Sequence, residues 1–209
     1  QKDAGYTVWQ DYDGPDGMRA YMDEVVAANP DLLKQEVIGQ TYGTDPEGDG
    51  PDVPRDIVAL KLTVDANTVA DNSRPAVLYS ATQHAREWIS TEVSQRLLEW
   101  LIKMYREDRQ EIVDLLGSTE LWFVMVANPD GYQYTFDHDR LWRKNLRDND
   151  GDNMITSADG VDPNRNFPQN WNYDDEGSAS ITADQTYRGP AAASEPETQA
   201  MIGLYDRVD

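Results

Sequence analysis

The sequence predicts an α/β fold, one sheet flanked by helices in a single domain over residues 1–209. Two observations carry the prediction. Apolar runs of strand length alternate with stretches of helical period, and Gly, Pro, Asn and Asp mark the junctions. Hydrophobic residues make up 39% of the 209, with 6 Trp and 11 Tyr, which supplies one core and leaves too little chain for two ordinary domains.

The elements follow in order. "GMRAYMDEVVAA", residues 17–28, places Met18, Tyr21, Met22 and Val25 at helical spacing, and "NPD" at 29–31 ends that helix. "EVIGQTY" and "DIVALKLTV" are two strands joined by "GTDPEGDGPDVPR", an acidic loop of turn residues. "RPAVLYSAT" is a third strand, nearly continuous in apolar residues and therefore expected at a buried, central position. Trp88, Val93, Leu97, Leu98, Leu101, Ile102 and Tyr105 give residues 88–106 the broad apolar face of a long helix. "LWFVMVAN", residues 121–128, is a buried strand stopped by "NPDG". Residues 137–193 lack a regular period and are rich in Asp, Asn and Gly; so long an irregular stretch inside a compact domain usually carries function. Ser194 and Glu197 have the spacing of a capping box, opening a last helix that runs to about Arg207.

Composition excludes several functions. A formal charge of −21 and a pI near 4.2 repel phosphate backbones, so no nucleic-acid partner is expected. No apolar run approaches the roughly 20 residues that span a bilayer, so no membrane partner is expected either. The absence of cysteine removes disulfides, thiolate nucleophiles and sulfur ligands together. No signal peptide is visible, and an exported protein would be in its mature form. The acidity, mostly Asp, reads as solubility or salt adaptation, or as clusters that hold cations.

"VLYSATQHAREWIS", residues 77–90, sets the chemistry. The strand runs out into His84 and Glu87, which places both at the carboxyl edge of the sheet, where open α/β folds build their sites. A neutral imidazole and a carboxylate there can converge on one point, and zinc accepts such N and O donors at about 2.0–2.2 Å. His-x-x-Glu alone also describes an ordinary hydrogen-bonded surface pair.

Three further stretches decide between these: "NPDGYQYTFDHDRLWRKN" (128–145), "GVDPNRNFPQNW" (160–171) and "TYRGPAAASEPE" (186–197). With "HAREW", and with an N-terminal helix leading to "IGQTY", they resemble in order and spacing the zinc carboxypeptidase family, the carboxypeptidase A and B type of metallopeptidase. The resemblance covers nearly the whole chain. It implies a mixed, largely parallel twisted sheet flanked by helices, and removal of C-terminal residues from peptides by a metal-activated water. It implies His84 and Glu87 as zinc ligands and Arg143 as the residue that polarises the scissile carbonyl and steadies the oxyanion. Asn164 and Arg165 match the pair that grips the substrate's terminal carboxylate, and Arg86 matches a residue of the outer subsites. Each assignment suits its chemistry: a permanently charged fork serves a developing oxyanion, and Arg holds a carboxylate bidentately. Arg140 is expected to be structural or secondary.

The resemblance also implies groups that do not precede Asp209: a second histidine ligand, a general-base glutamate, a mobile substrate-capping tyrosine and the residue at the base of the specificity pocket. His138, the other histidine, stands where the family has no ligand and is expected to be structural or at the surface. The chain is therefore expected to be the amino-terminal two-thirds of a secreted zinc carboxypeptidase catalytic domain, its C-terminal part missing or held on a separate chain. The alternatives are a non-catalytic peptide-binding protein on the same scaffold and a cell-wall peptidase of the same fold.

A second metal candidate lies in "DNDGDNMITSAD", Asp148 to Asp159. Asp148, Asp150, Asp152 and Asp159 occupy loop positions 1, 3, 5 and 12, a pattern that resembles the calcium loops of EF-hand and dockerin modules. The Met154 carbonyl and Thr156 would complete the ligand set, and Asn153 stands where Gly is usual. The other reading is a solvated acidic loop.

Overall fold

The computed structural model describes residues 9–208 in full and the backbone of residues 2–3 and 6–7. Two short strands, β1 (Lys2–Asp3) and β2 (Tyr6–Thr7), pair antiparallel. The chain then runs α1 (Met18–Ala28), β3 (Leu33–Gln40), β4 (Asp56–Leu62), β5 (Ala76–Ser80), α2 (Trp88–Arg106), α3 (Gln110–Ser118), β6 (Glu120–Val124), α4 (Pro129–Asp137), a single 3-10 turn Pro163–Arg165, and α5 (Pro196–Val208).

The main sheet has the order β3-β4-β6-β5. It is mixed, as expected, but β3–β4 and β4–β6 are antiparallel, so the parallel character expected of it is confined among the described strands to β5–β6. Period-two alternation builds the two faces. Val58, Leu60, Leu62, Leu121 and Phe123 meet α1, α2 and α3 through Met18, Met22, Leu98, Leu101, Ile102, Ile112 and Leu116. Ile57, Ala59, Trp122 and Val124 meet α5 through Ala200, Met201 and Leu204.

Three expectations differ from the described structure. Among the described strands β5 lies at an edge of the sheet, not at the central position expected, and Val77 and Tyr79 are 44% and 38% exposed. Burial on both faces belongs instead to β4 and β6, whose neighbours lie on either side. β6 spans Glu120–Val124 and so ends before "NPDG", which starts a helix instead of stopping the strand. Asn128 is the N-cap of α4, its Oδ1 accepting from Gly131 N at 3.0 Å, and Pro129 fills the first helical position, where its missing N–H costs nothing. Finally, Ser194 and Glu197 form no capping box. The Ser194 hydroxyl donates to Glu195, the helix begins two residues later at Pro196, and Glu197 turns inward to Asn145. The stretch 137–193, expected to be irregular, holds little regular structure: the last residue of α4 (Asp137), one 3-10 turn and the bridge Ala179–Tyr187.

Candidate metal and substrate site

The parallel β5–β6 pair brings two chain reversals to one edge of the sheet. Its ladder continues past both strands: Ala81 N donates to Val124 O at 2.9 Å, Ala127 N to Ala81 O at 3.0 Å, and Asn128 N to Thr82 O at 3.2 Å. Thr82 takes a left-handed φ of 53°, costly for a β-branched residue, by roughly 1–3 kcal/mol. Its hydroxyl is fastened to Ser90 and Thr91 at the start of α2, which holds the turn in place. Asn128 Nδ2 donates to the carbonyls of Gln83 and Lys144, and Ala85 N donates to Arg143 O at 3.1 Å. The loop carrying His84 and the segment carrying Arg143 are thus laced together through their backbones.

On this frame four side chains meet. His84 Nδ1 lies 2.9 Å from Glu87 Oε1, and His84 Nε2 lies 3.2 Å from Asp162 Oδ1. Arg143 donates to Asp162 Oδ2 from Nη2 at 2.7 Å and from Nε at 3.1 Å. Asp162 is fully buried. Burial pushes its carboxyl up, but the hydrogen bonds from His84 and Arg143 and the Arg143 charge outweigh it and hold it below the usual carboxylate range. A buried carboxylate at Nε2 claims the N–H of a neutral imidazole, which leaves the Nδ1 lone pair facing the Glu87 carboxylate. Two such donor atoms at contact distance need a proton or a cation between them. This donor set fits zinc: one imidazole nitrogen, one carboxylate oxygen, and a buried acid behind the ring that fixes its orientation. Glu87 stands at the N-cap of α2 but makes no capping bond, so its carboxylate is left for this contact.

Asp162 is the functional residue that sequence reasoning missed. "VDPNR" signals a cap, and Asp162 is one: its Oδ1 accepts from Asn164 N at 2.9 Å at the head of the Pro163–Arg165 turn. Nothing in that signal points to a histidine 78 residues away.

The predicted substrate residues gather nearby. Gln185 links two of them: its carbonyl accepts from Arg143 Nε at 3.2 Å and its side chain from Arg86 Nη1 at 3.4 Å. Asn164 and Arg165 lie on the 3-10 turn that Asp162 caps and line a cleft of about 220 Å³ with Trp171 and Tyr173. Arg165 Nε donates to Gly177 O at 2.6 Å, which braces its guanidinium against the cleft wall. Arg140 lies 3.6 Å over the Trp88 ring and donates to Arg86 O at 3.0 Å, a packing role. His138 stacks on Tyr134 and sits 3.4 Å from Glu47, so it adds no ligand at His84.

The acidic loop divides its predicted ligands. Asp148, Asp150 and Asp152 place one carboxylate oxygen each within 4.8 Å of one another, and they are the only such group of three among the described residues. Asp148 accepts from the backbone of Asp150, Gly151 and Asn153, and Asn153 takes φ 63°. The Asp152 N–H pulls the Asp150 carboxyl down, but desolvation and crowding by Asp152, Asp159 and Asp148 outweigh it and raise it. Asp159 is not a member of this group of three, and the Thr156 hydroxyl donates to Asp159. Asp159 is buried, and its carboxylate accepts from Asn149 N, Thr156 N and the Thr156 hydroxyl.

Comparison with known proteins adds the following. The family model described as zinc carboxypeptidase matches residues 18–207. Human carboxypeptidase B is 34% identical over 193 residues, 92% of this chain and 41% of that protein. Zinc carboxypeptidase A 1 of Drosophila melanogaster is 32% identical over 194 residues, 92% of this chain and 40% of that protein. Among solved structures, carboxypeptidase A from Helicoverpa armigera superposes with a TM-score of 0.70 at 29% identity, over 89% of this chain and 40% of that one. Bovine thrombin-activatable fibrinolysis inhibitor, solved in complex with tick carboxypeptidase inhibitor, gives 0.71 at 26% identity, over 91% of this chain and 54% of that one. The chain spans about two-fifths of the length of these curated relatives.

Proposed function

The chain belongs to the zinc carboxypeptidase family, and from that premise we propose that its parent protein is a zinc-dependent metallocarboxypeptidase that removes residues from the C-terminal ends of peptides. The observation that carries the reading is the continuous chain of contacts Glu87–His84–Asp162–Arg143. It joins two metal donors to a fixed positive charge through one buried carboxylate.

His84 Nδ1 and Glu87 would hold the zinc. Bound there, the metal supplies Lewis acidity and a water whose pKa falls towards about 7. Arg143, braced by Asp162 and the Gln185 carbonyl, offers its guanidinium to the oxygen on which negative charge develops. Asn164 and Arg165, on the turn that follows Asp162, receive the free carboxylate of the peptide, which makes the activity exopeptidic. Arg86 contacts the chain further from its end. In this reading the remaining ligand and the general-base carboxylate come from another part of the parent protein or from a companion chain.

The acidic loop is assigned a calcium ion on Asp148, Asp150 and Asp152, supported by the convergence of three carboxylates on one point. The parent protein is assigned to the extracellular space; this assignment rests on the family reading alone and is tested by its recovery in culture medium.

Kinetics of the parent protein on peptides with free and amidated C-termini test the activity. Arg143→Ala is expected to lower kcat by about 10²–10³ with little change in KM, and the amidated peptide is expected to resist. An unchanged kcat, or equal cleavage of both peptides, contradicts the assignment. Binding of peptide without turnover would favour the non-catalytic scaffold.

A further inference from the structure

Behind Arg143 lies a buried polar cluster that the proposed reaction does not use. Asn145 is fully buried, and both hydrogens of its amide go to carboxyl groups: Glu195 Oε2 at 2.8 Å and Glu197 Oε2 at 3.0 Å. The two acids are not equivalent. Glu195 also faces Arg147 Nη1 at 3.2 Å and accepts from the Ser194 hydroxyl. Glu197 has no cation. Its Oε1 makes no hydrogen bond, and it lines a small pocket with Gln83, Pro163, Phe167 and Met201.

The other end of Asn145 reaches the site. Asn145 N donates to Val161 O at 3.0 Å, and Val161 N donates to Asn145 Oδ1 at 2.7 Å. Val161 precedes Asp162, and Asn145 is two residues from Arg143. This two-point contact fixes the register of the Arg143 segment against the Asp162 segment. Gly160 permits the approach: it has φ 76°, and a Cβ there would lie 2.4 Å from Asn145 O.

We propose that Glu197 is a positioning residue for the Arg143–Asp162 pair, acting through Asn145. The proposal rests on the role given to Arg143 above. Two carboxylates on one amide repel unless one is neutral, and Glu197, with no cation and one unbonded oxygen, is the one that carries the proton. Burial pushes its carboxyl up to about 8; the Asn145 hydrogen bond opposes this, and Asp130 and Glu195 add to it. Of the charged groups facing it, Asp130 is paired with Arg55 and Glu195 with Arg147. Below pH 8 one of the two carboxyl groups that share the Asn145 amide is neutral, and the Arg143 segment is held. Above it, Glu195 and Glu197 are both negative and repel each other across that amide, which displaces Asn145 and with it the Arg143–Asp162 contact.

The test is the Arg143 Nε–H resonance of the 209-residue chain, followed by ¹⁵N NMR from pH 6 to 9.5. In the unaltered chain it is expected to shift with a midpoint near 8, and in Glu197→Gln, which imitates the neutral acid, that transition is expected to vanish. A flat resonance in the unaltered chain overturns the proposal. So does a transition that persists in the variant, because Lys144, buried beside Arg143 and brought down by burial to about 8, is then its source. Should the variant not fold, carboxyl ¹³C shifts of glutamate-labelled unaltered chain must show one glutamate titrating at the Arg143 midpoint; a mismatch overturns the proposal. A solely structural Glu197 would alter stability and leave this resonance unmoved. The experiment needs neither zinc nor turnover, so its failure leaves the peptidase reading intact, and loss of that reading would appear in metal binding instead.

Discussion

His84 and Asp162 are joined at 3.2 Å through Nε2 and Oδ1, so that the buried acid sits behind the imidazole while the other ring nitrogen points to Glu87. Asp162→Asn removes the anion from both His84 and Arg143. Arg143 is largely buried, and stripping a buried cation of its partner is expected to lower stability by about 2–4 kcal/mol, read by urea unfolding. Zinc affinity of the parent protein is expected to fall about 10–100-fold, because the ring loses the group that fixes its tautomer. A variant as stable and as tight for zinc as the original would show that Asp162 is only a turn cap.

Lys61 gives the fold an acid-sensitive point. Its ammonium is fully buried, 2.5 Å from Asp71 Oδ1 and 2.9 Å from Val69 O. Desolvation alone would raise the Asp71 carboxyl, but hydrogen bonds from Lys61 and Lys34 outweigh it and lower it. A folded-state pKa below the unfolded value means stability that is complete above about 4 and lost as pH falls through the depressed pKa. Asp71→Asn is expected to flatten this acid limb and to cost about 2–3 kcal/mol at neutral pH, because the buried ammonium loses its counter-charge. Thermal melts between pH 2 and 7 measure both; parallel curves for the two proteins would refute the pairing.

The fold was legible wherever one period dominated. Met18, Met22, Leu98, Leu101 and Ile102 pack as their helical spacing requires. What failed was context. The apolar run of β5 says that its residues pack, and says nothing of how many strands flank it; Tyr79 stacks on Phe123 yet stays partly exposed. Asn128 reads equally as a turn residue and as a helix cap, and only the Gly131 hydrogen bond distinguishes the two. Within the site, His84, Glu87 and Arg143 could be named from motifs, but Asp162 could not. Its partners come from two other chain segments, and its own surroundings in sequence advertise only a cap.

The acidic loop should respond to calcium. Asp148, Asp150 and Asp152 crowd one another, and a divalent cation relieves that repulsion. Calorimetric titration is expected to give one site, lost in Asp148→Asn/Asp150→Asn. At 100 times the Kd, calcium should add about 2.7 kcal/mol to stability. No heat, together with an unchanged melting temperature, would leave a solvated acidic loop.

An anomalous difference map at the zinc edge, from crystals of the parent protein, addresses the metal centre itself. The expected result is a peak bonded to His84 Nδ1 and a Glu87 carboxylate oxygen at about 2.0–2.2 Å, with Asp162 still at Nε2. No peak after zinc soaking, with His84 and Glu87 still hydrogen-bonded to each other, would contradict the account.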